Sequence, residues 1–342
     1  MILCKVHELK EGMIVARDVT VSGVAIPILR KGAVLNEQYI NSLKKYGIAF
    51  LYVELPEGYS GAKGEILSLT EVKTNNIIFE GKVQIKADIP KNTTIEAGES
   101  VIIEGNVADG CSIFSKSGVI IIKGFAYGAG DNPIQLYAKQ DITVGNLSHA
   151  VVKTDGDLVA ERDCFDAAIE VKGEVRIGGS VLRSKIGTNV RAVLGQCGSE
   201  EGEPVIVTVN PTEAQEIIQE LLKIDNSVNT LTKEKTQLQN IIDLIKKLGG
   251  NIEQLPQDKK IELAKGAKRF KDISGEIAVL SSKREELLNN IKQILSVRRV
   301  IVNNVVYPNT KIQIGGRLFI ASKPEQRCAF CVEEGKVIIK SL

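Results

Sequence analysis

The stretch LSHAVVKTDGDLVAERDCFDAAIEVKGEVRIGGSVLRSKI, Leu147 to Ile186, restates itself with a fixed step. Leu147, Cys164 and Val181 fall seventeen apart, as do Val152, Ile169 and Ile186, and as do Leu158 and Val175. Three parallel columns of apolar β-formers at one period are the mark of a solenoid, in which no coil can bury its apolar face alone and stacking buries it for all. Upstream the step is different. Ile95, Val101, Val107, Ile113, Val119 and Phe125 fall six apart, so three such steps make one coil. Gly105-Asn106-Val107 and Gly145-Asn146-Leu147 are read as corners where the backbone turns sharply and where residues that tolerate a positive φ are at home. A left-handed hexapeptide helix keeps a strict six-residue step, whereas Leu147 to Val152 and Cys164 to Ile169 are steps of five. A right-handed, single-stranded parallel β-helix is therefore expected over 65–210.

Composition fits that class. The 342 residues are 43% hydrophobic but only 4% aromatic, with no Trp and 31 Gly. Val, Ile and Gly fill a stack of thin coils where bulky rings would not fit every layer. A net charge of +2 points away from a general nucleic-acid or membrane-surface role. Apolar runs such as Val119 to Ile122 are too short to span a bilayer, and Met1 to Val6 lacks the form of a signal peptide, so a cytoplasmic location is expected. Six cysteines, at 4, 111, 164, 197, 328 and 331, make no regular framework and read as reduced thiols. With only His7 and His149, histidine metal sites and Ser-His-Asp or Cys-His devices are disfavoured.

Outside the coils, residues 1–55 read as a small α+β unit. Lys10-Glu11-Gly12-Met13 and Arg30-Lys31-Gly32 are turns, Ile26 to Leu29 is a strand, and a helix is capped by Asn36 and ended at Gly47, with Ile40, Leu43 and Tyr46 as its apolar stripe. Residues 56–64 read as a Gly/Pro/Ser linker. From Pro211 the period becomes helical. Ile217, Leu221, Ile224, Val228, Leu231, Leu238, Ile242 and Ile245 follow a heptad step interrupted by Lys235; Phe270, Ile273, Ile277, Leu280, Leu287, Ile291 and Ile294 follow another, interrupted by Arg284. Gly249-Gly250-Asn251 and Pro256 separate them. Pairing 221 with 291, 224 with 287, 231 with 280, 238 with 273 and 242 with 270 gives one nearly constant sum, as an antiparallel coiled-coil hairpin over 211–298 requires. Strand patterning returns in 299–342, where Lys311-Ile312-Gln313-Ile314-Gly315-Gly316-Arg317-Leu318 echoes Glu174-Val175-Arg176-Ile177-Gly178-Gly179-Ser180-Val181, so a closing coil is expected after the insertion.

The order of parts in 65–342, a β-solenoid with Gly-Gly corners, then Ala192-Val193-Leu194-Gly195-Gln196-Cys197-Gly198-Ser199, a long helical insertion and a closing Val305-Val306-Tyr307-Pro308 segment, resembles the flagellar assembly protein A family. The resemblance implies a bacterial, cytoplasmic protein without catalytic residues, linked to flagellar assembly or polar organisation. At the front, Leu9-x2-Gly12-Met13-x2-Ala16-x-Asp18-Val19, Lys31-Gly32-x2-Leu35 and Leu43-x3-Gly47-Ile48-x3-Tyr52-Val53 resemble the small domain preceding the catalytic domain of HD-GYP cyclic-dinucleotide phosphodiesterases. The His-Asp metal motif of that catalytic domain is absent, so the resemblance implies an accessory or docking role only.

Chemistry-bearing residues are few. Cys328-Ala329-Phe330-Cys331 has the spacing of a zinc or redox pair but no second pair of ligands, and packing of a closing strand is the preferred reading. Asp155 and Asp157, with Asp163 and Asp166 one coil on, could make a carboxylate groove, against which stand ordinary acidic corners. Gly124-x3-Gly128-x-Gly130 lacks the Lys-Ser/Thr and the helix of a phosphate loop. Cys164 belongs to a core column. Lys235 and Arg284 read as seam residues that reach the surface. No catalytic, cofactor or metal residue is assigned, and no cofactor is expected. The favoured reading is a non-enzymatic scaffold that binds protein partners through the coiled-coil arm, with room for an oligomer. A bactofilin-like polymer and an enzyme with a carboxylate groove are the alternatives; the first needs an exposed solenoid end, and both ends read as covered.

Overall fold

A computed structural model describes residues 2–21, 27–54, 63–248 and 256–342. Residues 63–209 and 299–342 carry a β-solenoid of about eight turns. Its strands, joined by three from residues 2–54, fall into a 15-stranded and a 10-stranded sheet among the described residues. The three columns spaced by seventeen hold. Val152 pairs with Ile169 and Ile169 with Ile186 in the smaller sheet; Leu158 pairs with Val175 in the larger one; Leu147, Cys164 and Val181 stack at the corner between them. Side chains of these columns are 2% exposed or less. At about 1.5–3 kcal/mol for each fully buried Val, Leu or Ile, the stack is the main source of stability.

The six-residue reading slips by one at its end. Val101 pairs with Ile120, not Val119, and Val107 bridges to Ala126, not Phe125. Ile120 and Ala126 are fully buried, while Val119 and Phe125 are half-buried on the outer side. Phe125 instead lies against Tyr127, with the Arg162 guanidinium 5.5 Å from its ring centre.

The corner glycines serve close approach between coils. Neither Gly105 nor Gly145 has a positive φ. A Cβ on Gly105 would stand 2.6 Å from the carbonyl oxygen of Ala87, and one on Gly145 2.6 Å from that of Gly124, so these glycines let one coil lie on the next. Their neighbours Asn106 and Asn146 hand hydrogen bonds along the stack. Asp88 Oδ1 accepts from Asn106 N (2.7 Å) and Asn106 Oδ1 from Phe125 N (2.9 Å); Asn146 Oδ1 accepts from Asp163 N (3.0 Å) and Asp163 Oδ1 from Ser180 N (2.7 Å). Backbone donors that the corner leaves unpaired are satisfied in this way.

Both ends of the larger sheet turn antiparallel. At the start, Ile2–Lys5 pairs with Phe50–Glu54 and touches the first coil through Ile2 opposite Leu69; at the finish, Glu325–Glu333 folds onto Arg299–Val306 and Lys336–Ser341 onto Glu325–Glu333. Helix α1, Glu37–Lys45, is capped by Asn36, whose Oδ1 accepts from Tyr39 N at 2.9 Å, and Gly47 follows it at φ +69°. Ile40 and Leu43 are buried, but Tyr46 is 53% exposed and does not belong to the stripe. Leu29 makes only a bridge to Val19; Ile26, most of the 56–64 linker and the Gly249-Gly250-Asn251 break lie outside the described residues.

The echo between 311–318 and 174–181 joins two different places. Val175–Leu182 runs as one strand of the larger sheet through Gly178-Gly179, and a Cβ on Gly178 would sit 2.3 Å from the Glu161 carbonyl oxygen. Thr310–Ile314 belongs to the smaller sheet, and Gly315 and Gly316, at φ +54° and +81°, turn it back as a hairpin. It does complete a last coil: Val207 pairs with Ile312 in parallel, as Ala192 pairs with Val300.

Between Val209 and Arg299 the chain makes a second compact unit, residues 210–298. Helix α2, Thr212–Leu248, and helix α3, Gln257–Ser296, lie antiparallel, as Arg284 bonded to Asp225 (2.7 Å) and Arg269 to Glu234 (2.8 and 3.0 Å) require. Leu221, Ile224, Ile273, Leu287 and Ile291 are buried. Leu231 and Leu280 line one groove. Farther along α2 the register departs from the constant sum: Phe270, expected opposite Ile242, has Lys235 Nζ 5.2 Å above its ring, and a Cβ on Gly266 would come 3.4 Å from Ile241. Gly266 offers no side chain to hold the helices in step, and a heptad apolar repeat tolerates such a slide.

Candidate functional site

Polar side chains of the solenoid converge at one corner. His149, Asp166 and Arg183 are seventeen apart, each in the left-handed region at φ +46°, +51° and +46°. His and Asp tolerate that region better than most residues; for Arg183 the cost, of order 1 kcal/mol, is offset by its partners. Arg183 Nε and Nη2 donate to Asp166 Oδ1 and Oδ2 at 2.7 and 2.9 Å, and Nη1 donates to Glu203. These bonds hold the Asp166 carboxyl below its ordinary pKa and raise that of Arg183. Ser148 Oγ lies 3.0 Å from His149 Nδ1, and His149 Nε2 lies 3.6 Å from Asp166 Oδ2. Gly130, Pro133, Ala167, Ala168 and Lys185 complete an open groove of about 350 Å³.

A serine, histidine and aspartate in a row invite comparison with an acyl-transfer device, and the geometry does not support one. At 3.6 Å the His149–Asp166 separation exceeds a hydrogen bond, and both Asp166 oxygens already accept from Arg183, so the carboxylate does not orient the imidazole as a general base requires. The corner is a charged clasp between coils.

The four aspartates weighed as a carboxylate groove are dispersed. Asp155 bonds Lys139 and, at 2.7 Å, Lys172, which together bring its pKa down to about 2. Asp157 Oδ1 accepts from Glu174 N at 2.7 Å, Asp163 is a rung of the corner ladder, and Asp166 belongs to Arg183. Among the described residues no three His, Cys, Asp or Glu gather as a metal site.

Cys328 and Cys331 lie on one strand, Glu325–Glu333. Three positions apart in a strand, they point to opposite faces with Cα atoms about 10 Å apart, too far for a disulfide or for one metal ion. Burial also pushes the Cys328 thiol up to about 11 and that of Cys164 to about 12. Gly124 is part of strand Ile120–Tyr127, and Cβ atoms on Gly124 and Gly128 would strike the carbonyl oxygens of Gly105 at 2.5 Å and His149 at 2.0 Å; they are packing glycines. Lys235 covers Phe270, and Arg284 reaches Asp225 at the surface.

The arrangement offers two surfaces: a ladder-bound solenoid, and a helix pair inserted where other coils have a corner as short as Asp155-Gly156-Asp157. Residues 68–337 match the flagellar assembly protein A β-solenoid domain. The chain belongs to that family. No curated protein and no solved structure matches it. In this member no described helix is long and apolar enough to cross a membrane. The charged clasp went unread in the sequence although its signal was present: the period that sets the core columns also stacks 149, 166 and 183.

Proposed function

We propose that this flagellar assembly protein A family member is a non-enzymatic cytoplasmic scaffold in flagellar assembly or cell-pole organisation, and that its helix pair is a coiled-coil arm that binds a protein partner. The observation that carries this reading is the insertion itself. A corner as short as Asp155-Gly156-Asp157 suffices to join two coils, yet here the chain adds two helices of 37 and 40 residues whose removal would leave the parallel ladders intact. Nothing in coil stacking requires them, so their use lies outside the fold. A protein partner fits their mixed charge better than nucleic acid does. Dispersed carboxylates favour a scaffold over an enzyme, and antiparallel strands at both ends of the larger sheet count against end-to-end polymerisation of the bactofilin kind. Capture from host lysate tests the reading. Full-length chain should retain a flagellar or polar protein that a chain lacking 211–298 does not; equal capture by both would contradict it.

A further inference from the structure

Three large apolar side chains stand exposed on α3 and at its end: Ile261 at 48%, Val279 at 70% and Val297 at 65%. Ile261 and Val297 each lie eighteen positions from Val279, which is five whole helical turns, so all three fall on one line. That line is turned about 80–120° around the helix from Ile273, Leu287 and Ile291, which meet α2. Beside it are the exposed residues Lys268, Asp272, Gly275, Lys283 and Glu286. Gly275 is anomalous. A Cβ there would meet nothing within 4 Å, and glycine inside a helix costs about 1 kcal/mol relative to alanine, so no neighbour within the chain explains it.

We infer that this face of α3 is the seam of a homodimer in which α3 of two copies packs antiparallel about a two-fold axis beside Val279. The pattern is self-complementary, as a two-fold interface demands. Ile261 and Val297 are equidistant from Val279, so each meets the other type on the second copy while Val279 meets itself. A two-fold axis keeps each flank on its own side. Lys268 and Glu286 share one flank and Asp272 and Lys283 the other; in antiparallel register Lys268 comes within about a turn of Glu286 of the second copy, and Asp272 within a turn of Lys283. Both pairs have opposite charge. Gly275 lies on the flank of Lys268 and Glu286, where the missing side chain lets the second helix approach closely. The face is about 50 Å long and about 10 Å wide, roughly 1,000 Å² counted over both copies, at the lower bound of a specific interface. The dimer is therefore reversible.

This deepens the proposed role of the helix pair and rests on it only in treating those helices as a binding surface. Its test uses purified full-length chain alone, so its failure is separate from failure to find a flagellar partner. Sedimentation should show a monomer–dimer equilibrium that Val279→Glu shifts at least tenfold to higher concentration, that Lys268→Glu weakens, and that Lys268→Glu with Glu286→Lys restores; circular dichroism checks that each variant keeps its helix content. V279C should crosslink to its own copy, and I261C mixed with V297C should crosslink only between the two chains, with unmodified chain as the control for native thiols. A chain that stays monomeric at the highest soluble concentration, or a dimer that Val279→Glu leaves unchanged, or V279C without a self-crosslink, would overturn the proposal.

Discussion

Arg183 reaches across one coil to Asp166 with two parallel hydrogen bonds, 2.7 and 2.9 Å long, and so converts a corner that could have armed His149 into one that ties coils together. The Asp166 side chain is 23% exposed and that of Arg183 45%, so solvent screening limits the pair to about 1 kcal/mol. Asp166→Ala should lower stability by about that much at pH 7. Because the folded pKa of Asp166 is depressed, its contribution is present above the unfolded value of about 3.9 and is lost as pH falls through the folded pKa. Denaturant titrations of wild type and variant should therefore converge as pH falls below the ordinary carboxylate range; a gap that widens on acidification would show the sign to be wrong.

The register of the coils predicts unequal costs for adjacent residues. Ile120→Ala opens a cavity in a closed stack and should cost about 2–5 kcal/mol. Val119→Ala, on the outer side, should cost less than about 1 kcal/mol. Equal losses in chemical denaturation would return the coil to a strict six-residue step.

Gly178→Ala should destabilise the solenoid by about 1–3 kcal/mol, because its Cβ would stand 2.3 Å from a backbone oxygen of the coil below. A thermal midpoint unchanged from wild type would mean that the coils are not in such close contact.

Oxidation should not close a bond between Cys328 and Cys331, and purified chain should contain no stoichiometric zinc. Peptide mapping that finds an intrachain 328–331 disulfide, or elemental analysis that finds one zinc per chain, would contradict their placement on opposite faces of one strand.

The repeat was legible because inward positions in 147–186 alternate with polar residues at a constant step, which states both period and facing. Legibility failed at Val119 to Ile122, where four successive residues are apolar and alternation cannot say which of them point inward. It failed again at the glycines: Gly105 and Gly315 look alike in sequence, yet one answers to a carbonyl oxygen of the neighbouring coil and the other to its own φ. The helix pair was legible as two heptad runs, but the register near Gly266 depends on how closely two backbones approach, which the repeat does not encode. The Ser148–His149–Asp166–Arg183 corner was hidden because its members are outward residues, which carry no hydrophobic signal.

Replacing residues 210–298 with Asp-Gly-Asp, the corner that joins Thr154 to Leu158, gives the most direct measurement. Introduced into the source cells in place of the normal chain, this variant should fold, with the strand content of the solenoid retained by circular dichroism, and the proposed flagellar role predicts that the cells lose normal number or placement of flagella by electron microscopy. A folded variant that supports wild-type flagellation would contradict the account, because the helix pair would then have no part in what the protein does.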